Sequence, residues 1–143
     1  AVICIVRAPR AGLLAQNFPF GRTDSHYLPP DYLSAARFLR ENLGPGESFF
    51  TMTSEALWYY LVDKPCPTRF SVVWFAAPSF YQQEIIEDLK RRRVKFVLYR
   101  NQAPSNRIDG ISNEQRLPVL AAYLQEAYAP FRNIDGHEIW IRR

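Results

Sequence analysis

The sequence predicts an α/β domain: a mainly parallel, Rossmann-like sheet of three to four strands flanked by helices and finished by a C-terminal antiparallel hairpin. Three observations lead there. Short apolar β-rich runs alternate with helical periodicities through most of the chain, the pattern of strands joined by crossover helices. The last stretch breaks that alternation, with two apolar runs meeting at Asp135-Gly136, a dipeptide suited to a tight hairpin turn. The chain has 143 residues, 48% of them hydrophobic and 15% aromatic. That is enough apolar material for one core without metal or disulfide support.

Residues 1–30 read as a lead-in and residues 31–143 as a single α/β domain. The apolar start AVICIV suits either a core strand or a stub left beside a removed membrane helix, since it is far shorter than the roughly 20 residues of a span. APRAGLLAQNFPFGRTDSHYLPP has Pro, Gly and polar residues without sustained periodicity, as a surface-wrapping segment would. In PPDYLSAARFLRENLGPGES, Tyr32, Ala36, Leu39 and Leu43 share one helical face. Pro30 and Asp31 suit that helix's entrance, and Gly44-Pro45-Gly46 its end.

SFFTMT is a short strand. SEALWYYLVD is a helix with Thr53 as its cap and Glu55 in the first turn, where negative charge is favourable. Pro65 and Pro67 stop it. FSVVWFA lacks alternation and reads as a strand covered on both faces. Tyr81, Ile85, Ile86 and Leu89 give the helix SFYQQEIIEDLKRRR an apolar side. VKFVLY is a further strand, and RNQAPSNRIDGISNEQR a long polar loop. Leu117, Leu120, Ala121, Leu124 and Tyr128 line the last helix, and Pro118 requires that helix to start close by. FRNI and HEIWIRR then form the hairpin, with Ile139 and Ile141 facing inward.

Enzymatic chemistry leaves little trace. His26 and His137 are the only histidines. No G-x-S-x-G elbow or phosphate-binding glycine pattern accompanies them. His137 reads as a surface or hairpin-pairing residue, and His26 beside Asp24 lacks a third metal ligand. Cys4 and Cys66 match no zinc spacing and read as reduced and buried, with one disulfide as the alternative. No catalytic residue, metal or cofactor is therefore assigned. The candidate ligand contacts are Thr51, Thr53, Ser54 and Glu55, at the carboxyl end of a strand where open α/β sheets bind ligands; helix capping is the plainer role for them.

The net charge is +4. Arg91, Arg92 and Arg93 close a helix, and Arg142 and Arg143 close the chain. They are candidate contacts for anionic lipid, against the simpler reading of a solvated face. Nothing resembles a nucleic-acid recognition element, so no nucleic-acid partner is expected.

The stretches YLPPDYLSAARFLRENLGPGESFF, SEALWYYLVDKP, VKFVLY and YLQEAYAPFRNIDGHEIWIRR carry a family resemblance. Over residues 27–143 the chain resembles the C-terminal soluble domain of bacterial multi-pass membrane glycosyltransferases of the dolichyl-phosphate-mannose protein mannosyltransferase type. In that family a polytopic part precedes a small extracytoplasmic α/β domain, which ends on a Y-x-x-x-Y helix and a strand finishing in Arg. The corresponding residues here are Tyr123, Ala127-Tyr128, Ile139, Ile141, Arg142 and Arg143, at a similar but not identical spacing. The family's catalytic acids lie in its first extracytoplasmic loop, outside this chain. The resemblance thus implies a non-catalytic accessory domain on the periplasmic side of a bacterial inner membrane. Its partner would be the membrane portion of its own parent chain, an enzyme using a lipid-linked sugar donor. The alternative is a free-standing soluble α/β protein that binds a small or nucleotide-like ligand.

Overall fold

The computed structural model describes residues 30–143. Cys4, Asp24 and His26, with the lead-in segment, lie outside the described residues. Helix α1 (Pro30–Asn42) leads to strand β1 (Phe49–Thr51), helix α2 (Leu57–Val62), a 3-10 turn (Val73–Ala76), helix α3 (Ser79–Arg91) and strand β2 (Phe96–Arg100). A second 3-10 turn (Pro104–Asn106) and a ribbon of β3 (Arg107–Ile108) and β4 (Ile111–Ser112) follow. Helices α4 (Asn113–Arg116) and α5 (Pro118–Ala127) then precede strands β5 (Tyr128–Ile134) and β6 (His137–Arg142).

The main sheet has the order β1-β2-β6-β5. Only β1 and β2 run parallel, while β6 pairs antiparallel with both β2 and β5. The sheet is therefore mixed and mostly antiparallel, which corrects the expectation of a mainly parallel, Rossmann-like core. Two causes produce the difference. FSVVWFA is not a strand: its centre is the 3-10 turn, placed between Pro67 and Pro78, with Val73 and Ala76 buried and Phe75 exposed. The hairpin also lies inside the sheet order, placing β6 directly against β2 instead of only adding an edge.

Helices cover both sheet faces, and strand alternation feeds both layers. Phe49, Phe96, Leu98 and Ile139 face Ala36 and Leu39 of α1 and Trp58 and Leu61 of α2. Phe50, Val97 and Tyr99 face Ile85 and Leu89 of α3 and Leu120 and Leu124 of α5. Ile139 is fully buried and Ile141 packs partly buried against the same layer, so both face inward as the sequence predicts.

Local chemistry sets the element ends. α1 stops before Gly44-Pro45-Gly46, where Gly46 has φ +76°. Such a backbone is open to glycine without steric penalty. Pro118 occupies the first turn of α5, where its missing N–H costs nothing. Tyr128 belongs to β5 and not to the last helix; its hydroxyl donates to the Val94 carbonyl at 2.9 Å. The segment read as a long polar loop holds the ribbon and a capped helix. Ser112 Oγ accepts from Gln115 N at 3.2 Å while Gln115 Oε1 accepts from Ser112 N at 3.1 Å. This reciprocal pair stabilises a helix start.

Candidate functional site

β1 and β2 end side by side, and the chain leaving β1 turns through Ser54 at φ +56° before entering α2. That turn delivers Glu55 to a ring of donors. Its Oε2 accepts from Asn101 Nδ2 at 2.6 Å, Trp58 Nε1 at 3.0 Å and Thr53 Oγ1 at 3.0 Å. Its Oε1 accepts from the Tyr32 hydroxyl at 2.8 Å. One carboxylate thereby ties α1, the β1–α2 turn, α2 and the end of β2. Burial, and then the bond to Glu55, push the Tyr32 hydroxyl well above the ordinary tyrosine range, which keeps it a donor.

Thr53 does not cap α2 as the sequence suggests. The residue preceding the helix is Ala56, without a side-chain cap. The left-handed turn at Ser54 redirects the chain, and the Thr53 hydroxyl bonds to Glu55 and to Thr51 Oγ1, the latter at 2.8 Å. Thr51 and Thr53 are fully buried, whereas Ser54 and Glu55 are half-buried. Ser54 Oγ reaches Asn113 Oδ1 at 3.4 Å, and buried Asn113 donates to the Met52 carbonyl at 2.7 Å. The four candidate contacts are thus brought together, but much of their hydrogen-bonding capacity is spent among themselves and their neighbours. A carboxylate already holding four donors organises its surroundings better than it abstracts a proton.

Beside this network lies a second group. The Tyr32 ring stacks on Trp58 at 4.8 Å, and His137 meets both rings edge-on at 4.9 Å. His137 is 2% exposed, with Nε2 lying 3.2 Å from Asp31 Oδ2. This overturns the reading of His137 as a surface residue, while its hairpin pairing holds, opposite Ile134 of β5. A cavity of ≈ 290 Å³ opens here, its wall including Asp31, Tyr32, Gln102, Asp135 and His137. Sequence reasoning missed this group because its two halves are 106 positions apart. An Asp at a helix start and a His after a turn each have a sufficient local explanation. The one available signal was His137 at the start of a strand otherwise destined for the core.

The basic residues gather at the other end of the sheet. Because β6 runs antiparallel to β2, His137 starts beside the end of β2 while Arg142 donates its backbone N–H to Lys95 O at 3.0 Å. Arg91, Arg92 and Arg93 immediately precede β2 and are exposed. Arg91 pairs with Asp88. Arg143 is also exposed, with Nε donating to Tyr128 O at 3.1 Å, and Arg142 is partly buried. Two basic runs that are distant in sequence therefore share one end.

Cys66 is half-buried, with Sγ 3.7 Å from Thr68 Oγ1. Among the described residues, no group of three or more His, Cys, Asp or Glu side chains is placed to hold a metal ion. Also among them, no helix is long and apolar enough to cross a membrane.

No family model matches the chain, and no curated protein matches it. Among solved structures it is distantly similar to the C-terminal globular domain of an oligosaccharyltransferase from Archaeoglobus fulgidus. The identity is 14% and the TM-score 0.46, over 81% of this chain and 99% of that chain.

Proposed function

We propose that this chain is a non-catalytic, extracytoplasmic accessory domain of a membrane glycosyltransferase that uses a lipid-linked sugar donor, held on the periplasmic side of a bacterial inner membrane. One observation carries the reading. Three of the four stretches that bear the family resemblance meet at a single place in the fold, Tyr32 from the first, Glu55 and Trp58 from the second and His137 from the last, with Asn101 just beyond VKFVLY joining them. A pattern diffuse in sequence thus corresponds to one spatial unit. In this reading the half-buried Ser54 and Glu55, seated on the fully buried Thr51 and Thr53, frame a contact surface for the acceptor. The basic end, with Arg91, Arg92, Arg93, Arg142 and Arg143, faces anionic lipid.

The experiment uses membranes carrying the full reading frame. Removing residues 31–143 at unchanged expression of the remainder should lower glycosyl transfer at least about tenfold, equivalent to roughly 1.4 kcal/mol of transition-state stabilisation. The purified 143-residue chain should catalyse neither transfer nor hydrolysis of lipid-linked sugars. Undiminished transfer after removal, or turnover that reproducibly co-purifies with the chain, overturns the proposal.

A further inference from the structure

The cavity beside His137 has a chemistry that narrows its ligand. Its wall joins the start of α1 (Asp31, Tyr32), the connection after β2 (Gln102) and the β5–β6 turn (Asp135, His137). Its volume of ≈ 290 Å³ lies at the small end of ligand sites, which run from about 300 to 1,000 Å³. Among the described residues lining it are two aspartates and no Lys or Arg. Such a wall repels phosphates and carboxylates, so a nucleotide or phosphorylated ligand is disfavoured by both charge and size.

The hydrogen-bonding pattern selects further. Nε2 of His137 lies 3.2 Å from Asp31 Oδ2, so that ring nitrogen is already engaged. The other ring nitrogen, Nδ1, is enclosed and without a partner among the described residues, so it lies out of a ligand's reach and takes no part in recognition. The groups left for a ligand are the Asp31 and Asp135 carboxylates, which accept, and the exposed Gln102 amide, which offers both a donor and an acceptor. A wall rich in acceptors with an amide and an aromatic ring suits groups that donate and accept at once, as hydroxyls do. Stacking of Tyr32 on Trp58 and its bond to Glu55 hold that ring in place before any ligand arrives.

We propose that this cavity binds a neutral polyol the size of a single sugar ring. The ligand class follows from the cavity; its place in glycosyl transfer rests on the function proposed above. The test is NMR titration of the 143-residue chain, following the backbone amides of Gln102 and Gly136. The probes are glucose, mannose and myo-inositol as neutral polyols, glucosamine as a cation and glucose 6-phosphate as an anion. At least one neutral probe should shift those amides saturably at millimolar concentration, with glucose 6-phosphate binding at least about tenfold more weakly. Gln102→Ala and Asp135→Asn alter exposed side chains, so the fold should persist; each should weaken neutral-probe binding by about tenfold. Three results overturn the proposal: no saturable shift with any neutral probe, tighter binding of glucosamine than of every neutral probe, or affinity unchanged in both variants. Its failure is separable from that of the accessory reading. A parent enzyme that needs residues 31–143 while the chain binds no polyol rejects only the cavity assignment. Polyol binding by a chain whose removal leaves transfer intact rejects only the accessory role.

Discussion

Glu55 shows how much one side chain can organise. Four side-chain donors from different parts of the chain converge on its two oxygens, at 2.6 to 3.0 Å. None is a cation, so the carboxylate is held by hydrogen bonds alone. Glu55→Gln keeps the size of the side chain but puts an NH₂ where an acceptor stood. At least one donor then faces another donor. Hydrogen bonds to charged groups contribute roughly 1.5–3 kcal/mol each, and leaving a donor unpaired adds to the loss. The variant should lose about 2–3 kcal/mol by urea unfolding, seen as a lower midpoint at unchanged slope. Glu84→Gln is the control: its pair with Arg69 is solvent-exposed and should leave the midpoint almost unchanged. Equal midpoints for the two variants would show that the Glu55 network is ornamental. Sequence inspection placed Glu55 at the correct strand end but could not show its hydrogen bonds to Tyr32 and Asn101, which lie 23 and 46 positions away.

At the scale of elements, local signals were readable where neighbouring residues alone decide the backbone. The Pro30-Asp31 entrance, the Gly44-Pro45-Gly46 stop, the Pro118 start and the Asp135-Gly136 turn all stand where the sequence puts them. Failures arose where tertiary contacts decide. FSVVWFA has the composition of a buried strand, yet it forms a short turn that sends Val73 and Ala76 into the core. Sheet direction was equally hidden, because it depends on which strand β6 chooses to pair with. That pairing makes a sharp prediction. Ile139 is fully buried in the layer with Leu98 and Phe96. Ile139→Ala should cost about 2–5 kcal/mol, and Ile139→Asp should prevent stable folding by burying an unpaired carboxylate. Ile111, 44% exposed on the small ribbon, is the comparison. Ile111→Asp should shift stability by no more than roughly 0.5 kcal/mol. A similar loss from both Asp substitutions, measured by thermal and urea unfolding, would contradict the placement of β6 inside the sheet.

The whole molecule is polar in the geometric sense, because the antiparallel pairing of β2 with β6 separates two chemistries. At one end lie Glu55, the three-ring cluster and the acidic cavity; at the other, Arg91–Arg93, Lys95, Arg142 and Arg143. Lysines and arginines near an anionic bilayer each contribute about 1 kcal/mol, and their reach shrinks with the Debye length, from about 10 Å at 0.1 M salt to 3 Å at 1 M. If the basic end meets lipid, the cavity end is turned away from that surface. Co-sedimentation with vesicles tests this orientation. The chain should pellet with anionic vesicles at low salt, remain in solution with neutral ones, and be released as salt rises. Arg91, Arg92 and Arg93 all replaced by Gln should weaken binding by at least about tenfold while leaving unfolding nearly unchanged, since the three side chains are exposed. Arg142 is left intact because it is partly buried and its Nη1 is enclosed. The apolar surface supplies the competing outcome: Phe75 and Phe80 are each 64% exposed, around the start of α3 and away from its basic end. Equal, salt-insensitive pelleting with neutral and anionic vesicles would assign membrane contact to those aromatics and reject the basic end. Absence of pelleting under every condition would leave the arginines as a solvated face.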